Sequence, residues 1–131
     1  MKIYLAARYG RRAEMQRVRD KLQAIGIDVV SRWIDGAHEA ADLVATDAER
    51  SRWAGEDLVD LARADAIVAF TEEAGSKESR GGRHVEFGIA IGLGKHLCVV
   101  GPRENIFYCN NTIYWYPDYL AFYAAMGVVS V

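Results

Sequence analysis

Apolar positions recur along this chain with two rhythms. Lys2–Ala6 (KIYLA) is a short run of strand formers, and after the polar loop AARYGRR the residues Met15, Val18, Leu22 and Ile25 follow at spacings of three and four. The first rhythm predicts a strand and the second an amphipathic helix. Gly26 closes that helix, and Ile27 to Trp33 (IDVVSRW) predicts a second strand. Strand, helix and strand in this order begin a parallel βαβ unit, in which ligands collect at the carboxyl ends of the strands.

Asp35 to Glu39 (DGAHE) predicts a turn, and Ala40 to Ala64 a helix. On a wheel at about 100° per residue, Ala54, Leu58, Leu61 and Ala62 fall on the buried face. Glu56, Asp60 and Arg63 point away, which makes Asp60 a solvated surface charge, while Asp57 sits at the margin of the apolar face beside Trp53. Asp65 to Phe70 (DAIVAF) is apolar almost throughout, as in a central parallel strand buried on both sides. The polar loop TEEAGSKESRGG follows and leads into the apolar helix RHVEFGIAIGLG, whose Gly88, Gly92 and Gly94 are expected to let it lie close against the sheet. His96 to Gly101 predicts a fourth strand, Thr112 to Tyr116 a fifth, and Pro117 and Asp118 open a last helix, YLAFYAAM. The expectation is an α/β fold: one doubly wound, flavodoxin- or Rossmann-like domain over residues 1–131, with a five-stranded, mainly parallel sheet and helices on both faces.

The totals narrow the function. The 131 residues are 51% hydrophobic and 26% charged, with 16 Lys plus Arg against 18 Asp plus Glu and a net charge of −2. That balance argues against a protein that coats polymeric nucleic acid, so anion binding must be local. Arg8, Arg11 and Arg12 in the first loop and Arg80 and Arg83 in the Gly-rich loop are the places for it, because guanidinium forks suit phosphate and carboxylate. Cys98 and Cys109 lack CxxC spacing or a matching set of His, which argues against zinc and fits a reducing cytoplasm. The apolar run at the start, Ile3 to Ala7, is too short for a signal peptide or membrane span. The first loop carries neither GxGxxG nor GxxxxGK, so dinucleotide-binding and P-loop readings both fail. It offers Arg8, Tyr9 and Gly10 instead, a set that either stacks a ring and grips an anion or forms a polar surface turn.

Glu86 is the only charged residue from Val85 to Gly94. A capping box would need Ser, Thr, Asp or Asn three residues earlier, where Arg83 stands. Two readings remain: a buried salt bridge to Arg80 or Arg83, or a nucleophile or base in the first turn of a helix, kept ionised by the helix dipole and free N–H groups. The predicted strand order puts Glu86 just beyond the carboxyl end of a central strand.

Three segments, KIYLAARYG, EDLVDLARADAIVAF and GGRHVEFGIAIGLGK, resemble the nucleoside 2-deoxyribosyltransferase-like family, which includes nucleoside deoxyribosyltransferases and nucleoside 5′-monophosphate N-glycosidases. The resemblance spans most of Lys2 to Gly101. It implies that Glu86 is the nucleophile, that Asp57 is the acid near the nucleobase and glycosidic bond, and that Tyr4 places its hydroxyl beside Glu86. It also implies a substrate-binding set. Ala6, Arg8 and Tyr9 belong to the first strand and loop, and Trp33 ends the predicted second strand. Ser79, Arg80, Gly82 and Arg83 come from the Gly-rich loop, and Asn105 from the loop after strand four. Asn105 and Asn110 are either contributors to a neighbouring subunit's site or turn-forming residues.

The chain departs from the family at two positions. Arg80 stands where an Asp or Ser is usual, and His84 where a Gly is often found. An Arg there welcomes a phosphate, which favours a nucleotide over a nucleoside, with Ser79 adding a hydroxyl. The expected activity is N-glycosidic cleavage through a glycosyl-enzyme intermediate, by hydrolysis or 2-deoxyribosyl transfer, without metal or cofactor. The partner is a small nucleoside or nucleotide, and a homodimer or larger homo-oligomer is expected. The competing readings are a nucleotide-binding sensor without turnover and a glycohydrolase of the nicotinamide bond in a dinucleotide.

Overall fold

A computed structural model describes residues 1–36, 44–77 and 81–129. The first strand, β1, is Lys2–Ala6, and the helix α1 is Arg12–Ala24, anchored by Met15, Val18 and Leu22. Strand β2 is Asp28–Val29, followed by a helical turn at Arg32–Asp35 and then the helix α2 at Asp47–Arg63. Strand β3 is Ala66–Phe70, α3 is Gly82–Gly92, β4 is His96–Val100, β5 is Tyr114–Tyr116 and α4 is Tyr119–Met126. The strands pair in the order β2-β1-β3-β4-β5, all parallel. The chain therefore has the expected α/β doubly wound architecture. It winds outward in both directions from β1 and β3, and the crevice between their carboxyl ends is the switch point at which such folds bind ligands.

The second strand is shorter than the pattern predicts, and the cause lies in Leu5. Its N–H donates to Ser31 Oγ at 3.1 Å and its carbonyl accepts the Trp33 indole N–H at 2.7 Å. Side chains from the segment after β2 thus occupy the backbone groups that a longer strand would have paired, and the chain turns away. Ser31 and Trp33 are both buried by this arrangement.

Helix α2 begins with a capping box, in which the Thr46 side chain and Glu49 bond each other's backbone N–H. The predicted start at Ala40 lies outside the described residues. The buried face of α2 corrects the wheel: Leu58 is half exposed, Ala54 and Ala62 are exposed, and Asp60 is fully buried. Asp60 is held there because its carboxylate accepts from the Arg32 backbone N–H at 2.9 Å and from Arg32 Nε at 2.9 Å. A buried carboxylate persists when it is paired and hydrogen-bonded, and this partner is 28 residues away in sequence. Gly88 and Gly92 correct a second expectation. Both are exposed, and a Cβ at either would meet no atom within 4 Å, so the sheet does not require glycine there. Gly101 is different, with φ +111° and a would-be Cβ 2.9 Å from Thr71 Oγ1. That backbone conformation and that approach suit only glycine.

Candidate active site

Right-handed crossovers place α2 and α3 on the same face of the sheet, and the two helices pack side by side. Both run back toward the amino ends of the strands. Asp57 lies six residues before the end of α2 and Glu86 six before the end of α3, so each stands about 9 Å along the axis from its helix terminus. Beneath them runs β1, from which Tyr4, with no exposed surface, donates its hydroxyl hydrogen to Glu86 Oε2. Tyr4 and Glu86 are 82 residues apart in sequence. The structure thus brings these two predicted residues into direct contact.

The rival salt bridge is accounted for by Arg83. Its guanidinium is buried, pairs through Nη1 with Glu104 and donates to the Tyr108 hydroxyl at 2.9 Å. Its Nε and Nη2 are also buried and have no hydrogen-bond partner among the described residues. Among the described residues Glu86 keeps Tyr4 as its hydrogen-bond partner, and burial pushes its carboxyl up to about 8; Arg80, the other candidate for a salt bridge, lies outside the described residues. The expected first-turn position is corrected too: α3 starts at Gly82 and has no acid in its first turn, so Glu86 lies beyond the reach of the helix end and desolvation decides its state. In the protein without ligand, Glu86 therefore holds its proton at neutral pH, contrary to the expectation of a permanently ionised group.

Asp57 has a related environment. Its pKa is pushed up to about 7, chiefly by burial and then by the neighbouring charges of Asp60 and Glu56, against a smaller opposing effect of Arg32. Its buried Oδ1 has no hydrogen-bond partner. A half-buried carboxyl with an unused oxygen and a pKa near neutrality is equipped to give and take a proton.

The first loop forms a wall. The Tyr9 hydroxyl donates to the Gly36 carbonyl at 2.7 Å, its ring lies 6.2 Å from that of Trp33, and Arg12 sits over it at 5.4 Å. Ala6 closes β1 beside them and is buried. Arg8 and Arg11 do not stand as a grip for an outside anion. Glu72, just after β3, accepts from Arg8 Nε at 3.3 Å and from Arg11 Nη1 at 2.9 Å. Arg11 also pairs with Glu14, which accepts the Tyr119 hydroxyl hydrogen. The loops after β1 and β3 are thus tied across the switch point by the protein's own acids.

Gly82 opens α3 after Gly81, which holds φ +93° at the cap. Ser79 and Arg80 lie outside the described residues. Asn105 takes the turn-forming role, its side chain accepting from Phe107 N–H at 2.9 Å, and Asn110 does the same for Thr112. Tyr108 and Glu104 were not foreseen. Tyr108 is buried, bonds Arg83, stacks on Phe87 at 4.6 Å and lies close enough to Glu86 to feel its charge. No local pattern marks it, since it sits in an irregular crossover. The acid in GPREN was the one available signal for a partner to Arg83. Among the described residues, no group of His, Cys, Asp and Glu is placed to hold a metal, and no helix is long and apolar enough to cross a membrane.

No protein-family model matches the chain, and no curated protein matches it. Among solved structures, a 2-deoxyribosyltransferase from Bacillus psychrosaccharolyticus aligns with a TM-score of 0.71 and 18% identity, covering 96% of each chain. The chain shares its fold. A Clostridium botulinum CMP N-glycosidase aligns with a TM-score of 0.60 and 17% identity over 97% of this chain and 98% of that one. At these identities the likeness is one of fold, and it extends over nearly the whole of all three chains.

Proposed function

We propose that this chain is an enzyme that cleaves the N-glycosidic bond of a nucleoside 5′-monophosphate or nucleoside, with Glu86 as nucleophile. One observation carries the reading: a desolvated carboxyl, bonded by a buried tyrosine of the central strand β1, sits on a helix packed against the one that carries a second carboxyl of raised pKa. The two proteins of the same fold are, by name, a deoxyribosyltransferase and a CMP N-glycosidase, which supports the same class of bond.

Each group then has a task. Tyr4 engages Oε2 of Glu86, and Oε1 is the oxygen assigned to the substrate. Once Glu86 has released its proton to solvent, its carboxylate Oε1 attacks the anomeric carbon as the bond to the base nitrogen breaks and that bond's electron pair departs with the base. Asp57, protonated, gives its proton to the leaving base. The product of this half is a glycosyl ester on Glu86. Water then attacks the anomeric carbon and passes a proton to Asp57, freeing the sugar and restoring the Glu86 carboxylate. A second base in place of water gives sugar transfer. Tyr9 and Trp33 form the wall against which the base rests.

A 5′-phosphate is favoured by the Nε–H and Nη2–H of Arg83, donors without a protein acceptor in the first turn of α3, where an anion is also favoured by the helix. Arg80 and Ser79 are proposed to join them.

The test is incubation with a panel of ribo- and deoxyribonucleoside monophosphates and nucleosides, with chromatography for free base. Glu86→Gln is expected to fold normally and release no base. Undiminished turnover in that variant would end the nucleophile assignment. Tight binding by the native chain with no free base would identify a sensor instead.

A further inference from the structure

The guanidinium of Arg83 is engaged on one side and open on the other. Nη1 is taken up by Glu104 and by the Tyr108 hydroxyl oxygen, to which it donates at 2.9 Å. Nε and Nη2 form the opposite edge of the fork, and both are buried without an acceptor among the described residues. The side chain is only 1% exposed, so bulk water is kept from that edge. Unmet donors in the interior carry a free-energy penalty. The Nε–H and one Nη2–H of an arginine run parallel and take two oxygens of a single anion at once, which would relieve it.

Two holders keep the guanidinium in this attitude. Glu104 is itself tethered, because its Oε1 also accepts from the Glu72 backbone N–H at 3.3 Å. It therefore meets Nη1 instead of closing over the Nε–Nη2 edge. The Tyr108 end is held by His84, whose Nδ1 lies 3.0 Å from the Tyr108 hydroxyl oxygen. That oxygen already accepts from Arg83, so the phenolic hydrogen is left to donate, and Nδ1 is the acceptor it reaches. The imidazole is thereby set as the tautomer with its hydrogen on Nε2. Packing fixes the same geometry. The Tyr108 ring lies 4.6 Å from that of Phe87 and 5.6 Å from that of His84, and the Arg83 guanidinium stands 5.6 Å over it.

We propose that His84 is a positioning residue for the substrate's phosphate: through the Tyr108 hydroxyl it pins Nη1 of Arg83 and keeps the Nε–Nη2 edge set for two phosphate oxygens. This role rests on the nucleotide reading above, and His84 performs it without touching the substrate. Without the pin, the guanidinium is free to rotate, and Glu104 closes on the open edge as a bidentate pair. The protein's own carboxylate then competes with the phosphate. Holding the fork ready in advance is what lowers the cost of binding.

Inorganic phosphate is the probe, titrated calorimetrically into the full chain at neutral pH, because its binding needs no turnover. The native chain is expected to bind it. His84→Phe and Tyr108→Phe, each of which keeps a ring and deletes one end of the hydrogen bond, are each expected to weaken binding about 10-fold or more, with unchanged far-ultraviolet circular dichroism. The double variant is expected to be no weaker than either single one, since both act through one bond. His84→Asn, whose amide oxygen stands near the place of Nδ1, is expected to recover most of the affinity. A native chain that takes up no phosphate at millimolar concentration would overturn the proposal. So would His84→Phe binding as the native chain does, or His84→Asn binding no better than His84→Phe. Pin-dependent phosphate binding in a chain that releases no base would uphold the proposal while ending the catalytic reading, so the two fail separately.

Discussion

Glutamine at position 86 should remove a specific, pH-dependent instability from this protein. Burial moves the Glu86 carboxyl from 4.5 up to about 8, so the folded chain keeps a proton there that the unfolded chain releases. Stability attached to such a group is fully present below the unfolded value, declines as pH rises, and stops declining above the folded value. At about 1.4 kcal/mol per unit, the whole shift corresponds to roughly 4 to 5 kcal/mol, of which roughly 2 to 3 kcal/mol falls between about pH 6 and about pH 9. Glutamine keeps the shape and still accepts the Tyr4 hydroxyl hydrogen, but it carries no titrating proton. Urea unfolding of both proteins at the two pH values isolates the group, since Asp57 titrates in each and cancels. The native chain should lose roughly 2 to 3 kcal/mol more than Glu86→Gln over this interval, and the variant should be the more stable protein at the higher pH. Parallel losses in the two proteins would refute the picture of a desolvated, neutral Glu86.

The same two carboxyls set the pH dependence of turnover. Cleavage needs Glu86 ionised and Asp57 protonated, with values about 8 and about 7, so kcat/KM should follow a bell centred near pH 7.5 in which only about 6% of molecules are productive at the maximum. Asp57→Asn should remove the alkaline limb, and a flat profile between about pH 6 and 9 would count against both assignments. Tyr4→Phe deletes the hydroxyl that steadies the Glu86 carboxylate. It should lower kcat/KM about 10- to 100-fold and, because the higher of the two values sets the alkaline limb when the base is the weaker acid, move that limb to higher pH and widen the bell, whereas a loss of rate with unmoved limbs would reduce Tyr4 to packing. Arg83→Met should cost about 3 to 5 kcal/mol by stranding buried Glu104, and Arg83→Met with Glu104→Gln should cost less. A double variant as unstable as the sum of the singles would show that the two groups do not act as a pair.

The elements were legible where a local rhythm dictated them. Lys2–Ala6 and Ala66–Phe70 are strands because continuous apolar runs suit a sheet covered on both faces, and Met15, Val18 and Leu22 fixed the inner face of α1. What failed was decided across the chain. The second strand stops early because Ser31 and Trp33 reach the backbone of Leu5. The wheel of α2 placed Asp60 in water because its partner, Arg32, belongs to another element. The candidate site divides in the same way. Glu86 stood out as a lone charge in an apolar helix, but the contacts that define its state, Tyr4 at one side and the Arg83–Glu104 pair taking up the nearest cation, are long-range. Arg8 and Arg11 read as anion grips because Glu72, which holds them, is about 60 residues away.

That Glu86 rests neutral does not weaken its proposed role, once the two energies are compared. Ionising a group whose pKa is about 8 costs about 1.4 kcal/mol at pH 7. In the transition state, positive charge develops at an anomeric carbon some 3 to 4 Å from the carboxylate. At an effective dielectric constant of about 20, that attraction is roughly 4 to 5 kcal/mol, against about 1 kcal/mol in bulk water. Burial therefore exacts a small penalty for the anion in the resting protein and returns a larger stabilisation when the sugar becomes cationic. A salt bridge from Arg83 would have reversed this, lowering the pKa while cancelling the charge that the sugar needs to meet. The pairing of Arg83 with Glu104 keeps that cation occupied one turn away, and so leaves the carboxylate of Glu86 for the substrate.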